Sequence, residues 1–234
     1  MTEELFREDS YLRHCDATVT AIQSNAVVLN CTVFYPQGGG QPGDRGVLQR
    51  QDGSRLDVVD TRKSENSIQH ILADGQDPPA VGETIIASID WARRHRLMRM
   101  HTCLHLLSSV ITAPVTGGAV NDGDGRLDFD LPETPDKETV AGQLNRLITE
   151  DHEVTYRWIT DAELDAQPEL VKTMSVKPPR GLGKVRLVDI RNVDLQPCGG
   201  THVARTGEIG RVIISKIEKK GRQNRRVRLK LTDG

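Results

Sequence analysis

Two pairs of potential metal ligands, far apart in the sequence, place the strongest constraint on how this chain can fold. His101 and His105 are four residues apart in the segment HTCLH, and Cys198 and His202 are four apart in CGGTH. On a helix, this spacing puts both imidazoles on one face, close enough to share an ion. Either pair alone has an ordinary explanation, a hydrogen-bonded core histidine or a Gly-Gly turn. Together they predict one zinc site that joins a helix to a distant loop.

The remaining histidines and cysteines give no second ligand set. No other histidine has a partner at ligand spacing, so we expect surface or hydrogen-bonded roles for His14, His70, His95 and His152. The four cysteines are widely scattered, which argues against a disulfide framework. Cys103 lies between the two helix histidines but points to a different face, and we expect it to be a small core residue.

The first 90 residues are typical of a β-rich domain. Residues 17–35 alternate and are rich in Val, Ile and Thr, with a turn predicted at Ser24-Asn25 and another at Asp52-Gly53. Several short strands at close spacing favour a small barrel, which we place at residues 1–90.

After residue 90 the periodicity changes to that of helices. Residues 90–113 predict an amphipathic helix ended by Pro114, and residues 134–154 a second one, with Thr134 as N-cap and Pro135 at its first position. The apolar stripe of the first helix comprises Leu97, Met98, Met100, Leu104, Leu107, Val110 and Ile111. Further strands are predicted at 154–160, 184–190 and 210–232. We therefore predict an α+β fold, with an N-terminal barrel domain followed by a domain at 91–234 whose helices pack on a mostly antiparallel sheet.

A glycine-rich segment, FYPQGGGQPGDRG at residues 34–46, allows two interpretations. Three consecutive glycines beside Gln41 and Asp44 form a loop that can approach a ligand or another backbone closely. The Lys-Ser/Thr of a Walker loop does not follow, so a phosphate cradle of that type is excluded. A simple hairpin connection explains the segment equally well.

The charge is unevenly distributed along the chain. The formal net charge is −2, yet residues 205–230 hold ten cationic side chains against Glu208 and Glu218. The cations are Arg205, Arg211, Lys216, Lys219, Lys220, Arg222, Arg225, Arg226, Arg228 and Lys230. Such a run suits a nucleic-acid backbone, although a solvated face is the plainer explanation. The polar N-terminus has no apolar signal region and no segment is long enough to span a membrane, so we expect a cytoplasmic protein.

Taken together, these motifs resemble a known family. HTCLHLLSSV, QPCGGTHVARTGEIG and TVFYPQGGGQPGDRG are similar to the editing region of alanyl-tRNA synthetases, and most similar to its freestanding relatives, the AlaX-type editing hydrolases of medium length. The resemblance covers nearly the whole chain. It implies deacylation of tRNA(Ala) mischarged chiefly with serine and secondarily with glycine, at one Zn²⁺ held by His101, His105, Cys198 and His202.

The resemblance also suggests how a substrate would be recognised. It implies that Thr32 contacts the substrate side chain. Gln41 is a second candidate, because a pocket rejects alanine best when it holds polar groups that alanine leaves unpaired. For contact with the tRNA we consider Lys219, Lys220, Arg222, Arg225 and Arg226.

Two other functions remain open from the sequence. One is a zinc-stabilised RNA-binding module without catalysis, and the other is a metal hydrolase of small esters or amides. Four protein ligands would close a tetrahedral site, whereas catalytic zinc usually keeps an open position. The residues alone do not decide whether zinc would activate water or only orient the substrate.

Overall fold

The computed structural model describes residues 2–64, 67–172 and 183–232. Contacts divide the chain into two compact units, Met1–His95 and Arg96–Gly234. The α+β class is confirmed, with a closed six-stranded barrel and few helices. The predicted assignment of separate domains to residues 1–90 and 91–234 remains a prediction. Within the described residues, none of the helices combines the length and apolar character needed to span a membrane.

The first unit is built on the barrel. Its strands are β1 (Glu3–Glu4), β2 (His14–Gln23), β3 (Ala26–Leu29), β4 (Cys31–Thr32), β5 (Gly46–Arg50), β6 (Arg55–Ser64), β7 (Ser67–Leu72) and β8 (Thr84–Ile89). The barrel closes in the order β2-β3-β7-β6-β5-β8, with antiparallel neighbours throughout. Aliphatic side chains from all six strands, together with Phe34, fill its interior. Both predicted turns are present, with positive φ at Ser24 and Gly53.

The second unit contains two antiparallel sheets. Its elements are the major part of α1 (Trp91–Val110), then β9 (Val115–Val120), β10 (Asp124–Asp130), α2 (Lys137–Thr149), β11 (Val154–Ile159), α3 (Asp161–Asp165), β12 (Val185–Ile190), β13 (Asp194–Pro197), β14 (Val212–Lys219) and β15 (Asn224–Leu231). One sheet has the order β14-β15-β10-β9 and the other β11-β12-β13. Short 3₁₀ helices occur at Leu5–Arg7, Pro168–Leu170 and Thr206–Ile209.

Helix α1 differs from its prediction in two ways. Every residue from Leu97 to Ser108 is buried, so the helix has no solvent-exposed polar face over this stretch, and the amphipathic interpretation is wrong there. The stripe of apolar residues explains only part of the packing, because polar side chains on the other faces are buried as well. The helix also ends at Val110 rather than at 113. The residue before a proline disfavours helical backbone angles, so the helix ends ahead of Pro114. Cys103 is fully buried, as predicted.

Helix α2 begins later than predicted. Its N-cap is Asp136, whose carboxylate accepts a hydrogen bond from the backbone N–H of Thr139 at 2.8 Å. Thr134 and Pro135 therefore precede the helix. A carboxylate also interacts favourably with the positive end of the helix dipole, which accounts for the start at this residue.

Candidate metal centre and nearby sites

The four predicted ligands lie together in one cluster, in which the three histidines are buried and Cys198 is partly buried. The ligand atoms of His101, His105, Cys198 and His202 all lie within 4.8 Å of one another. The Cys198 Sγ is 3.5 Å from His101 Nε2 and 3.3 Å from His202 Nε2. Zinc bonds of roughly 2.0–2.3 Å would require such tetrahedral ligand separations of about 3.3–3.8 Å. The donor types and these two thiol–imidazole distances therefore fit a zinc ion.

Local structure explains how each pair is placed. His101 and His105 lie one turn apart on α1, with ring centroids 5.3 Å apart. Cys198 follows β13 directly, and its N–H donates to the Arg186 carbonyl of β12, which extends the strand pairing by one residue. The buried Arg186 guanidinium donates to the carbonyls of Cys198 and Gly200. These contacts hold the CGG turn against the sheet.

A carboxylate orients His105. Asp194 on β13 accepts a hydrogen bond from His105 Nδ1 at 3.2 Å, so the Nδ1 proton points away from the cluster and Nε2 is available to an ion. Asp194 is itself held by Lys172 and by the Gln196 amide. Asp194 was not predicted from the sequence. The alternation Asp194, Gln196, Cys198 along a strand was the available signal, because it puts all three on one face.

A threonine orients His202. The Thr102 hydroxyl donates its one proton to the Met98 carbonyl at 3.0 Å and accepts from the Val203 N–H. Because that proton is already used, His202 Nδ1 must be the donor in its 3.1 Å contact with Thr102. The Nε2 lone pair of His202 is then directed at the cluster. Two of the three imidazoles are thus fixed in the tautomer that a metal ligand requires.

Electrostatics favour a thiolate at Cys198. Burial acts to raise the pKa of this thiol, but His101 and His202 hold it well below its usual value. Burial and the neighbouring His101 lower the pKa of His202 well below its usual value. Burial acts to lower the pKa of His105, yet the bonds to Asp194 and Cys198 raise it to about 9. A thiolate is the form in which cysteine binds metals.

The glycine-rich segment forms a tight turn. Gly38 and Gln41 exchange backbone hydrogen bonds of 2.9 and 3.0 Å, and Gly39 and Gly40 between them both have positive φ. Further along, a Cβ at Gly43 would lie 2.1 Å from the Thr61 carbonyl oxygen, so only glycine fits. The hairpin interpretation thus describes the backbone of the triple-glycine stretch.

Thr32 and Gln41 are both buried in the first unit. Since His70 Nδ1 donates to the Val27 carbonyl, His70 Nε2 is an acceptor and the Thr32 hydroxyl donates to it at 2.8 Å. The same hydroxyl accepts from the Phe34 N–H at 3.0 Å, which leaves one lone pair on its oxygen. Burial lowers the pKa of His70 to about 4, so this arrangement is stable at neutral pH.

The first unit also contains a buried ion pair that the sequence analysis did not predict. Asp44, from the glycine-rich segment, pairs with Arg94 near the start of α1, and both side chains are about 1% exposed or less. Arg94 also donates to the carbonyls of Ser10 and Val33, and Asp44 accepts from the Tyr35 N–H. The pair fixes the end of the glycine-rich segment.

The basic C-terminal residues separate into two groups. Arg225 is 3% exposed and donates to the carbonyls of Pro132 and Gly221, while Arg226 forms a double hydrogen bond with Asp128. Lys219, Lys220 and Arg222 are exposed around the β14–β15 turn. These three are therefore the better placed candidates for contact with a nucleic acid.

Two protein families and several full-length relatives are similar to this chain. A family of class II (A) tRNA synthetases matches residues 9–93, and the second additional domain of threonyl and alanyl tRNA synthetases matches residues 185–228. The chain is 34% identical to an alanyl-tRNA editing protein AlaX-M of Saccharolobus solfataricus, covering 97% of this chain and 98% of that protein. It is 36% identical to AlaX-M of Methanosarcina mazei, over 100% and 98% of the two chains.

A synthetase shows the same similarity over a shorter portion. An alanine–tRNA ligase of Sulfurisphaera tokodaii is 34% identical over 93% of this chain but only 25% of the ligase. The fold, the site and these matches define an aminoacyl-tRNA editing enzyme, which is a hydrolase. Within that class, the chain belongs to the family of AlaX-M alanyl-tRNA editing proteins.

Proposed function

We propose that this protein removes wrongly attached serine, and to a lesser extent glycine, from tRNA(Ala). The observation that carries the proposal is the convergence of the four ligand atoms in one cluster of three buried histidines and a partly buried cysteine. Full-length similarity to proteins named for alanyl-tRNA editing supplies the substrate class. An aminoacyl ester is already activated, so its hydrolysis needs an oriented water, a polarised carbonyl and a pocket of the right shape.

We propose that His101, His105, Cys198 and His202 hold one Zn²⁺ per chain. A bound zinc ion would polarise the ester carbonyl or orient the amino or hydroxyl group of the substrate. The chain's own contribution is to preorganise the ligands. Asp194 and Thr102 fix two imidazoles, and Arg186 fixes the loop that contains Cys198.

Selectivity for serine over alanine requires a polar group that alanine leaves unpaired. A serine hydroxyl adds little bulk, so size alone discriminates poorly, whereas an unmatched buried polar group is costly. Thr32 has one remaining lone pair that suits a donated serine O–H, because its proton is committed to His70. We propose Thr32 and Gln41 as the determinants of this selectivity.

Recognition of the tRNA would use the cations around the β14–β15 turn. Lys219, Lys220 and Arg222 offer exposed charges suited to phosphates. Arg225 and Arg226 are bonded within the protein, and we assign them to holding this hairpin. Contacts of this kind position the RNA without reading its sequence.

The experiment is a deacylation assay with purified Ser-tRNA(Ala), Gly-tRNA(Ala) and Ala-tRNA(Ala). We expect serine release well above the uncatalysed rate, slower glycine release, and alanyl-tRNA left nearly intact. Equal release of serine and alanine would contradict the proposal, as would hydrolysis of small serine esters at the same efficiency as the tRNA. A folded, zinc-containing protein that binds tRNA without releasing serine would instead indicate a binding module.

A further inference from the structure

The sheet β11-β12-β13 has one face that carries the metal centre's supporting residues. In antiparallel strands, residues directly opposite each other project to the same face. Asp194 pairs with Ile190 and Gln196 with Val188, and Cys198 continues this alternation along β13. On β11 the same face carries Tyr156, opposite Val188, and Trp158, opposite Arg186.

A single row of residues crosses this face from the metal centre to the sheet edge. Arg186 lies opposite Trp158 on one side, and its carbonyl accepts the Cys198 N–H at 3.1 Å on the other. The row is therefore Cys198, Arg186, Trp158. Two strand spacings of about 4.8 Å put the backbones of Cys198 and Trp158 about 10 Å apart.

The middle of the row is covered and its outer end is open. Arg186 is 3% exposed, with its guanidinium 4.4 Å from the Tyr156 ring centre. Trp158 is 42% exposed, on a strand at the edge of the sheet. In the described part of the chain, six large hydrophobic side chains are exposed, and Trp158 is the one aromatic side chain among them. The others are Leu12, Val59, Val81, Ile86 and Ile213.

We propose that Trp158 is the stacking surface for the 3′-terminal base of the aminoacyl-tRNA. An isolated exposed apolar residue needs no explanation in itself. Trp158 differs from such a residue because it ends the row that leads to the ligand Cys198. In the substrate, the ester and the base are attached to the same terminal ribose, so they lie within the length of one nucleoside. The backbones of Cys198 and Trp158 are separated by a distance of this order, about 10 Å by the strand spacing. A flat aromatic surface accepts any base by stacking.

The proposal rests on the proposed function and deepens it, so the test separates the two. Seryl release would be measured for the wild type, Trp158→Leu and Trp158→Phe, with Ile213→Ala as a matched exposed apolar control. Each would be given normal Ser-tRNA(Ala) and one whose terminal nucleotide lacks its base. Trp158→Leu should raise KM for the normal substrate about 5- to 150-fold, the range expected for loss of one base–aromatic stack. For Trp158→Phe and Ile213→Ala, the KM for the normal substrate should stay within about threefold of the wild-type value.

The abasic substrate gives the decisive comparison. If Trp158 holds the base, the wild type and Trp158→Leu should have the same KM for the abasic substrate. An unchanged KM for Trp158→Leu with the normal substrate would overturn the stacking proposal while leaving the deacylase function intact. Absence of serine release by the wild type would overturn the deacylase function itself.

A binding measurement covers the case of an unstable variant. In a Trp91→Phe background, Trp158 is the one remaining tryptophan. Its emission should be quenched by a non-hydrolysable seryl-amide tRNA, at a concentration where filter binding shows that the complex has formed. Unchanged emission in the formed complex would contradict stacking on Trp158.

Discussion

Two sets of buried polar groups in this protein are built on opposite principles. In the first unit, Asp44 and Arg94 neutralise each other, and hydrogen bonds to backbone groups complete the set. In the second unit, three imidazoles and a thiol converge in one cluster. Asp194 and Thr102 point two of the three imidazoles, those of His105 and His202, inwards. The first set is neutralised and hydrogen-bonded by protein groups, whereas the second is a ligand set that could hold a metal ion.

The largest expected effect comes from breaking the ligand set. Cys198→Ala removes the thiolate, and we expect loss of bound zinc and a fall in Ser-tRNA(Ala) deacylation of about 10³-fold or more, or about 4 kcal/mol of transition-state stabilisation. Metal analysis and single-turnover rates measure both quantities. Cys103→Ala is the matched control. Cys103 is a buried cysteine on α1 that lies outside the cluster. Full metal content in Cys198→Ala would contradict the assignment.

Breaking the paired set should instead cost stability. Asp44→Ala leaves the Arg94 guanidinium buried without its carboxylate, which typically costs about 3–5 kcal/mol. Denaturant unfolding of the variant measures this loss, and its zinc content should remain that of the wild type. Asp60→Ala provides a control, because the Asp60–Arg62 pair is not buried: the two side chains are 28% and 62% exposed. A loss below about 1 kcal/mol for Asp44→Ala would mean that the pair is not structural.

The Thr32–His70 bond gives a third, pH-dependent effect. Burial lowers the pKa of His70 to about 4, with no charged group contributing. In the unfolded chain, His70 therefore takes up a proton near pH 6.5. In the folded protein it is protonated only near pH 4. Stability is full above pH 6.5 and falls below it, by about 3 kcal/mol once pH 4 is reached. His70→Asn should flatten this part of the stability curve, measured by unfolding between pH 8 and 4.5. An identical slope in wild type and variant would exclude His70 as its source.

The smallest of these effects concerns the support of the ligand set. Asp194→Asn keeps the shape of the side chain but weakens the orientation of His105, and we expect about 10- to 100-fold lower zinc affinity. Competition with a chelator of known affinity measures the change. Asp189→Asn on the neighbouring strand is the control, since Asp189 contacts the surface residue Arg157. Equal zinc affinity for Asp194→Asn and the wild type would show that Asp194 has no such role.

The difference between the two sets also explains what the sequence could predict. Ligand types and i, i+4 spacing are local, so the two pairs were visible in HTCLH and CGGTH. The groups that support them were not, because Asp194 reaches His105 only through strand pairing and helix packing. The apolar stripe of α1 predicted the helix but not its burial on every side. A helix buried all round needs hydrogen-bond partners for polar residues such as Arg99 and Thr102, and the sequence does not show them.

Charge patterns had the same limit. Arg225 and Arg226 look like the exposed cations beside them, and only the fold shows the carbonyls and the carboxylate that they bind.

Strand β9 was not predicted either, because Gly117 and Gly118 lack the β-branched side chains that identify strands. The N-cap of α2 was misplaced by two residues because Thr134 and Asp136 are both suitable caps.

The central claim is that the second set is completed by zinc and functions only when complete. The most direct measurement is a titration of metal-stripped protein with Zn²⁺, in which the rate of serine release from Ser-tRNA(Ala) is followed. The rate should rise in proportion to added zinc and reach its plateau at one ion per chain. A stripped protein that releases serine at the full rate, without response to zinc, would contradict the account.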